Sequence, residues 1–199
     1  MTAFLYPSQP HVRRHGPRGY ANVESHRPWL RDEFAFRCVY CLFREQWGRV
    51  VGAFDIDHFL PVSLHPERER MYDNLLYACA TCNAVKGKRD VPDATAVLLD
   101  PGVRITEDGV IHADSPRAAR LIEMLGLDSP QSTEFRLLWI GIVALAERYD
   151  PPLYRRLMGF PDDLPDLQRL RPPGGNARPE GVKTSYFAKR RNGTPTTTY

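Results

Sequence analysis

Cys38-Val39-Tyr40-Cys41 and, 37 residues further on, Cys79-Ala80-Thr81-Cys82-Asn83-Ala84-Val85-Lys86-Gly87 are the stretches that decide how this chain folds. They hold all 4 of its cysteines, in two C-x-x-C pairs. Two short-spaced pairs match a tetrahedral Zn(Cys)4 site, each pair forming a tight knuckle that offers two thiolates to one ion. Two disulfides are the alternative. However, Met1–Pro10 shows no basic region feeding an apolar run, so no secretory leader is expected and a cytoplasmic, reducing setting is. A thioredoxin-type redox motif needs one pair rather than two. With four protein ligands the Zn²⁺ has no open position. It would be structural, contributing on the order of 10 kcal/mol to folding a region with little apolar core.

Between the pairs, Val50-Val51-Gly52-Ala53-Phe54-Asp55-Ile56-Asp57 reads as a strand leading into His58. Alternation puts Val50, Phe54 and Ile56 on one face and Ala53, Asp55 and Asp57 on the other. Pro61 stops the strand. A polar connection from Ser63 to Asp73, rich in Arg and Glu, leads to Asn74 and a short apolar run, Leu75-Leu76-Tyr77-Ala78, which ends at the second pair. From Cys82 the pattern turns helical, with Asn83 and Lys86 on neighbouring positions of one face.

Together, Cys38-x-x-Cys41, Asp57-His58, Asn74-Leu75 and Cys79-x-x-Cys82-Asn83-x-x-Lys86-Gly87 resemble the HNH endonucleases of the ββα-metal type with a zinc-stabilised core. The resemblance covers residues 30–93 and carries four separate elements in the right order. Asn83 stands where many members have His, which makes this an H-N-N variant. The resemblance implies an α+β fold: a ββα-metal core closed by Zn(Cys)4. It also implies phosphodiester hydrolysis, with DNA or RNA as partner.

That chemistry accounts for the residue types. An attacking water must lose a proton, and His58 is the side chain able to take it near neutral pH, hence the expected general base. Charge grows on the scissile phosphate, which calls for a divalent cation. Mg²⁺ or Mn²⁺ prefers oxygen ligands and needs only one or two from the protein; Asp57 offers a carboxylate and Asn83 an amide oxygen. Asn74 resembles the middle letter of the motif, which positions the loop and the His58 imidazole, although Asn is also a common turn residue. Lys86, with Lys88 and Arg89, is expected to contact nucleic-acid phosphates; a solvated helix end would use the same residues. Asp55 reads as a carboxylate behind the metal ligands or a second metal carboxylate, or else as a solvated strand residue. A rival signature, His65-x-Glu67 followed by Cys79-x-x-Cys82, resembles a zinc deaminase. It lacks the Pro before Cys79 and leaves Cys38, Cys41, Asp57 and His58 without a task. The alternative in another class is a zinc-stabilised binding module with an inactive centre.

The chain has 199 residues, 42% hydrophobic and 26% charged, enough to build and solubilise a core. Its longest apolar stretch, Leu137–Ala146, is about half of what spans a bilayer, so no membrane partner is expected. Net charge is only +3, but residues 1–37 carry 6 basic against 3 acidic side chains and residues 171–199 carry 6 against 1. Positive ends suit contact with a polyanion. Residues 1–28 read as an irregular basic arm and 29–93 as the nuclease core. Over 94–170 a β-hairpin is expected (Val103–Ile105 and Val110–His112), then helices opened by Ser115-Pro116 and Ser129-Pro130. The second of these carries an apolar stripe of Leu138, Trp139, Ile142, Val143 and Ala146. Residues 171–199 read as a flexible basic tail. There Lys183, Tyr186, Phe187, Lys189, Arg190 and Arg191 interleave aromatic and cationic side chains in a way that would hold single-stranded nucleic acid, or be ordered by a larger complex.

Overall fold

A computed structural model describes residues 3–48 and 52–193. Strand β1 (Phe54–His58) pairs antiparallel with β2 (Leu75–Cys79), with Phe54 opposite Cys79 and His58 opposite Leu75. Every residue of β2 is buried, which is why its sequence is a continuous apolar run rather than an alternation. Helix α2 (Ala80–Lys86) follows without a break. It begins two residues before Cys82 because the Cys79 sulfur caps it, accepting from the Cys82 N–H at 3.5 Å. Gly87, at φ +56°, ends it in the left-handed conformation that glycine adopts without penalty. These three elements form a ββα unit in an α+β fold. The expected strand residues Val50 and Val51 lie outside the described residues.

Helix α1 (Arg27–Glu33) precedes the first cysteine pair and packs on β2 with Trp29 and Leu30 fully buried. The N-terminal arm, expected to be irregular, includes a short 3-10 turn at Val23–His26, and its Ala3, Phe4 and Tyr6 belong to the main core. Arg13 reaches the Leu75 carbonyl at 2.6 Å, and His15 is buried against Asp32 at 2.8 Å.

After α2 come α3 (Ala94–Val97), the hairpin β3 (Val103–Ile105) with β4 (Ile111–Ala113), and α4 (Pro116–Met124), followed by α5 (Pro130–Tyr149) and α6 (Pro151–Met158). Ser115 and Ser129 cap α4 and α5 by accepting from the Ala118 and Ser132 N–H groups at 3.1 and 3.2 Å. Trp139 stacks on Trp47 at 4.4 Å, and Val143 and Ala146 are buried. Leu138, expected in the same stripe, is 60% exposed. The buried side of α5 runs along Arg136, Trp139, Val143 and Ala146, and Leu138 projects about a quarter-turn away from it.

The last described segment departs from the flexible reading. It forms α7 (Glu180–Lys183) and α8 (Tyr186–Arg191) and is laced to the N-terminal arm. Arg18 N–H donates to the Gly175 carbonyl, Gly174 N–H to Arg18 and Ala177 N–H to Gly16, at 2.8–2.9 Å. A Cβ on Gly181 would sit 1.8 Å from the Arg14 carbonyl oxygen, so only glycine allows this approach. Tyr186 packs against Phe160 at 4.3 Å, with the Arg14 guanidinium over its ring at 5.2 Å. Arg190 and Arg191 donate to Pro161 and Gln168. These aromatic and basic side chains, expected to hold nucleic acid or await a partner, are engaged within the chain itself. The end of the expected tail, residues 194–199, lies outside the described residues.

Candidate active site

The first cysteine pair lies in the turn after α1, where Leu42 adopts φ +61° and the Cys38 N–H donates to the Phe43 carbonyl at 2.8 Å. The second pair joins β2 to α2. All four residues are free cysteines, and their sulfurs lie within 4.8 Å of one another. Cys41 Sγ stands 3.7 Å from Cys79 Sγ. A tetrahedron with metal–sulfur bonds of roughly 2.3 Å has edges of about 3.8 Å, so this spacing fits four thiolates around one ion and is far longer than a disulfide. Hydrogen bonds from Cys38, Cys41 and Cys82 drive the Cys79 thiol far down, while hydrogen bonding with Cys38 pushes Cys41 and Cys82 up. Among the described residues this is the only convergence of three or more His, Cys, Asp or Glu ligand atoms, and it can hold a metal such as zinc. His65 takes no part in it; it pairs with Glu67 at the surface at 3.6 Å, so the deaminase arrangement is absent.

A cleft of about 210 Å³ opens beside the end of β1, lined among others by Asp57, His58, Ser63, Asn83 and Lys88. His58 is half-buried, and its Nε2 lies 2.9 Å from the Glu69 carbonyl oxygen. A carbonyl only accepts, so Nε2 carries the hydrogen and Nδ1 keeps its lone pair. Nδ1 has no protein partner among the described residues.

Asn74 holds in place the loop that presents Glu69. Its Oδ1 accepts from the Leu60 N–H at 2.8 Å, and its Nδ2 donates to the Leu60 and Arg68 carbonyls at 3.1 and 3.3 Å. The Asn74 carbonyl accepts from the Phe59 N–H at 2.9 Å. At 1% exposure Asn74 does not reach the cleft. Its hydrogen bonds tie together the loop whose Glu69 carbonyl meets the His58 ring.

Asn83 donates from Nδ2 to Asp55 Oδ2 at 3.0 Å. Because a carboxylate only accepts, this bond fixes which way the amide points and leaves Asn83 Oδ1 available. Asp57 is 3% exposed. Its Oδ2 accepts from the Tyr40 hydroxyl at 2.5 Å and its Oδ1 from Lys86 Nζ at 2.9 Å. Burial, and then the Asp57 charge, push the Tyr40 hydroxyl well above its ordinary value, so it stays a donor. Asp57 lines the cleft, and an ionised carboxylate has about four acceptor positions, of which these donors take two.

Lys86 corrects the sequence expectation. It is 1% exposed, and its ammonium donates to Asp57 and to the His58 carbonyl, the latter at 2.7 Å. A carboxylate this deep needs a counter-charge, and Lys86 supplies it instead of reaching a phosphate. Arg89 likewise folds back, donating to the Lys86 and Val85 carbonyls at the end of α2. Lys88 is exposed and lines the cleft. Sequence reasoning missed Tyr40 and the Glu69 carbonyl. A hydroxylated ring inside the first cysteine pair was a readable signal for Tyr40; a main-chain carbonyl leaves none.

No helix among the described residues is long and apolar enough to cross a membrane. A search of curated proteins finds no match to the chain. The family model described as HNH endonuclease matches residues 38–89, the stretch that holds the four thiols, the ββα unit and the cleft, and over that stretch this chain carries an HNH endonuclease domain.

Proposed function

We propose that the chain is a metal-dependent endonuclease that cuts or nicks DNA, with His58 as general base. The observation that supports this best is the His58 ring, whose Nε2–H is held by the Glu69 carbonyl, leaving Nδ1 as the basic nitrogen of a residue that lines a cleft with Asp57 and Asn83. Nδ1 takes the proton of a water attacking the phosphate, and the Glu69 carbonyl steadies the ring as it gains charge. Asp57 and Asn83 both line the cleft and carry hard oxygens, a donor set that suits Mg²⁺ or Mn²⁺. Such an ion, when bound, neutralises charge on the phosphate and leaving oxygen. Lys88, on the rim, holds an adjacent phosphate as a point charge. Zn²⁺ in the four-thiol site is structural, since all its positions are filled by protein. Free thiols gathered for a metal suit a reducing compartment such as the cytoplasm.

The test incubates supercoiled plasmid with Mg²⁺ or Mn²⁺ and compares the wild type with His58→Ala, measuring bound zinc in both. The wild type should nick or linearise the plasmid, the variant should be slower by roughly 10²–10⁴-fold, and both should carry about one zinc per chain. Equal cleavage by the two proteins removes the assignment. So does an inert wild type that binds the plasmid, which is the behaviour of a binding module. Cleavage of RNA alone keeps the mechanism and changes the substrate.

A further inference from the structure

Tyr40 lies between the two ligands of the first cysteine pair, and its side chain is fully buried in the core. Its own carbonyl accepts from the Tyr6 hydroxyl at 2.8 Å, and the neighbouring Val39 N–H donates to the Tyr77 carbonyl at 2.9 Å. The knuckle is thereby pinned to the arm on one side and to β2 on the other. From this fixed base the Tyr40 hydroxyl reaches Asp57 Oδ2 at 2.5 Å, and Lys86 closes the other side, joining Asp57 Oδ1 to the His58 carbonyl at 2.9 and 2.7 Å. Tyr40, Asp57 and Lys86 are all at least 97% buried. A run of short polar contacts therefore leads from Tyr40, which sits in the chain between two thiol ligands, through Asp57 and Lys86 to the His58 carbonyl.

We propose that Tyr40 is a positioning residue for the cleft: it fixes the Asp57 carboxylate toward the divalent-ion seat and thereby makes the geometry of that seat depend on the four-thiol knuckle. The proposal deepens the nuclease reading and rests on it for the role of Asp57. A carboxylate held at one oxygen by lysine alone can rotate about its terminal torsion, which is broad. A second donor at the other oxygen removes that freedom. Hydrogen-bonded partners of ligand groups typically account for 10–100-fold in metal affinity.

The experiment uses the full chain with its zinc in place and replaces Tyr40 by Phe, which keeps the ring and removes only the hydroxyl. Tyr77→Phe is the control. That hydroxyl is also buried and also bonds a carboxylate, Glu45 at 2.7 Å, but it lies outside the run. Zinc content and the thermal midpoint establish that each variant is folded. Mn²⁺ affinity is then measured by calorimetry, without substrate. Tyr40→Phe should keep about one zinc yet bind Mn²⁺ roughly 10–100-fold more weakly, while Tyr77→Phe matches the wild type. On DNA, Tyr40→Phe should lower kcat at saturating substrate with KM unchanged, and raised Mn²⁺ should restore much of the loss. Unchanged Mn²⁺ affinity in Tyr40→Phe overturns the proposal, as does an equal loss in Tyr77→Phe. A wild type that binds Mn²⁺ but cuts nothing removes the nuclease reading alone, because the calorimetric comparison still judges Tyr40.

Discussion

Replacing Lys86 by Met tests whether the buried pair with Asp57 holds the ββα unit together. The two side chains are 1% and 4% exposed and their charges are 2.9 Å apart. Met keeps most of the stem and removes the ammonium, leaving a buried carboxylate with Tyr40 as its only donor and the His58 carbonyl with none. Removing one partner of such a pair costs about 3–5 kcal/mol, against a total stability of about 5–15 kcal/mol for a folded chain. At 2–4 °C per kcal/mol for chains of this size, the midpoint should fall by roughly 10 °C. Burial decides this magnitude, not distance. Arg104 and Asp114 form an ion pair of the same 2.9 Å length with side chains 51% and 61% exposed, and Arg104→Ala should cost no more than about 1 kcal/mol.

The assay is urea unfolding followed by circular dichroism, with zinc held at one saturating level because a ligand of the folded state raises apparent stability. Asp57→Asn combined with Lys86→Met replaces the charged pair by two neutral groups. The double variant should be more stable than the sum of the single losses predicts, with a coupling of about 1–3 kcal/mol. A Lys86→Met protein within about 1 kcal/mol of the wild type, or single losses that simply add, would refute the reasoning.

Two further outcomes concern the supports around the site. Burial pushes the Glu33 carboxyl up, but hydrogen bonds from His11 and the Arg14 N–H, with the charges of His15 and His11, outweigh it and hold the group down at about 2. A carboxyl depressed in the folded state stabilises above its unfolded value, and that contribution disappears as pH falls toward 2. On the order of 3 kcal/mol should be lost between about pH 4.5 and 2. Glu33→Gln should flatten this part of the stability profile, and an unchanged acid slope would exclude the mechanism. Gly181→Ala drives a methyl into the Arg14 backbone, so it should weaken docking of the C-terminal segment by about 1–3 kcal/mol. Hydrogen exchange should then quicken over residues 176–191 and stay slow in β1 and β2; unchanged protection in the segment counts against the close packing.

The ββα unit was legible because its signals are local. Cysteine spacing, a Pro that stops a strand and a run of apolar residues each constrain a few neighbouring positions. Ser115-Pro116 and Ser129-Pro130 marked their helices for the same reason: a side-chain oxygen and a fixed φ act within one turn. Lys86 was misread because its partner lies 29 residues earlier in the chain. Nothing in Asn83-x-x-Lys86 tells a lysine reaching solvent from one folded under the helix onto Asp57. Leu138 failed differently. A helical stripe gives the apolar side but not its width, and width depends on how much of α5 its neighbours cover.

The two basic ends show how long-range pairing overrides composition. Read alone, each has too little apolar surface to fold and charge enough to seek a polyanion. In the structure they find their anions within the chain. Arg14 and His15 meet Asp32, His11 meets Glu33, and Arg178 of the C-terminal segment meets Asp73 at 3.1 Å. Arg13 donates to the carbonyls on either side of Asn74, those of Asp73 and Leu75. Both ends thus converge on the turn where Asn74 closes the loop that carries Glu69, and Glu69 fixes the His58 ring. Charges engaged this way are partly neutralised within the chain, and under the nuclease reading proposed above the exposed Lys88 on the rim of the cleft is the candidate phosphate contact. Removing Lys88 should therefore weaken DNA binding and its salt dependence by about one counterion, whereas removing Arg178 should act on the loop and leave that salt slope unchanged.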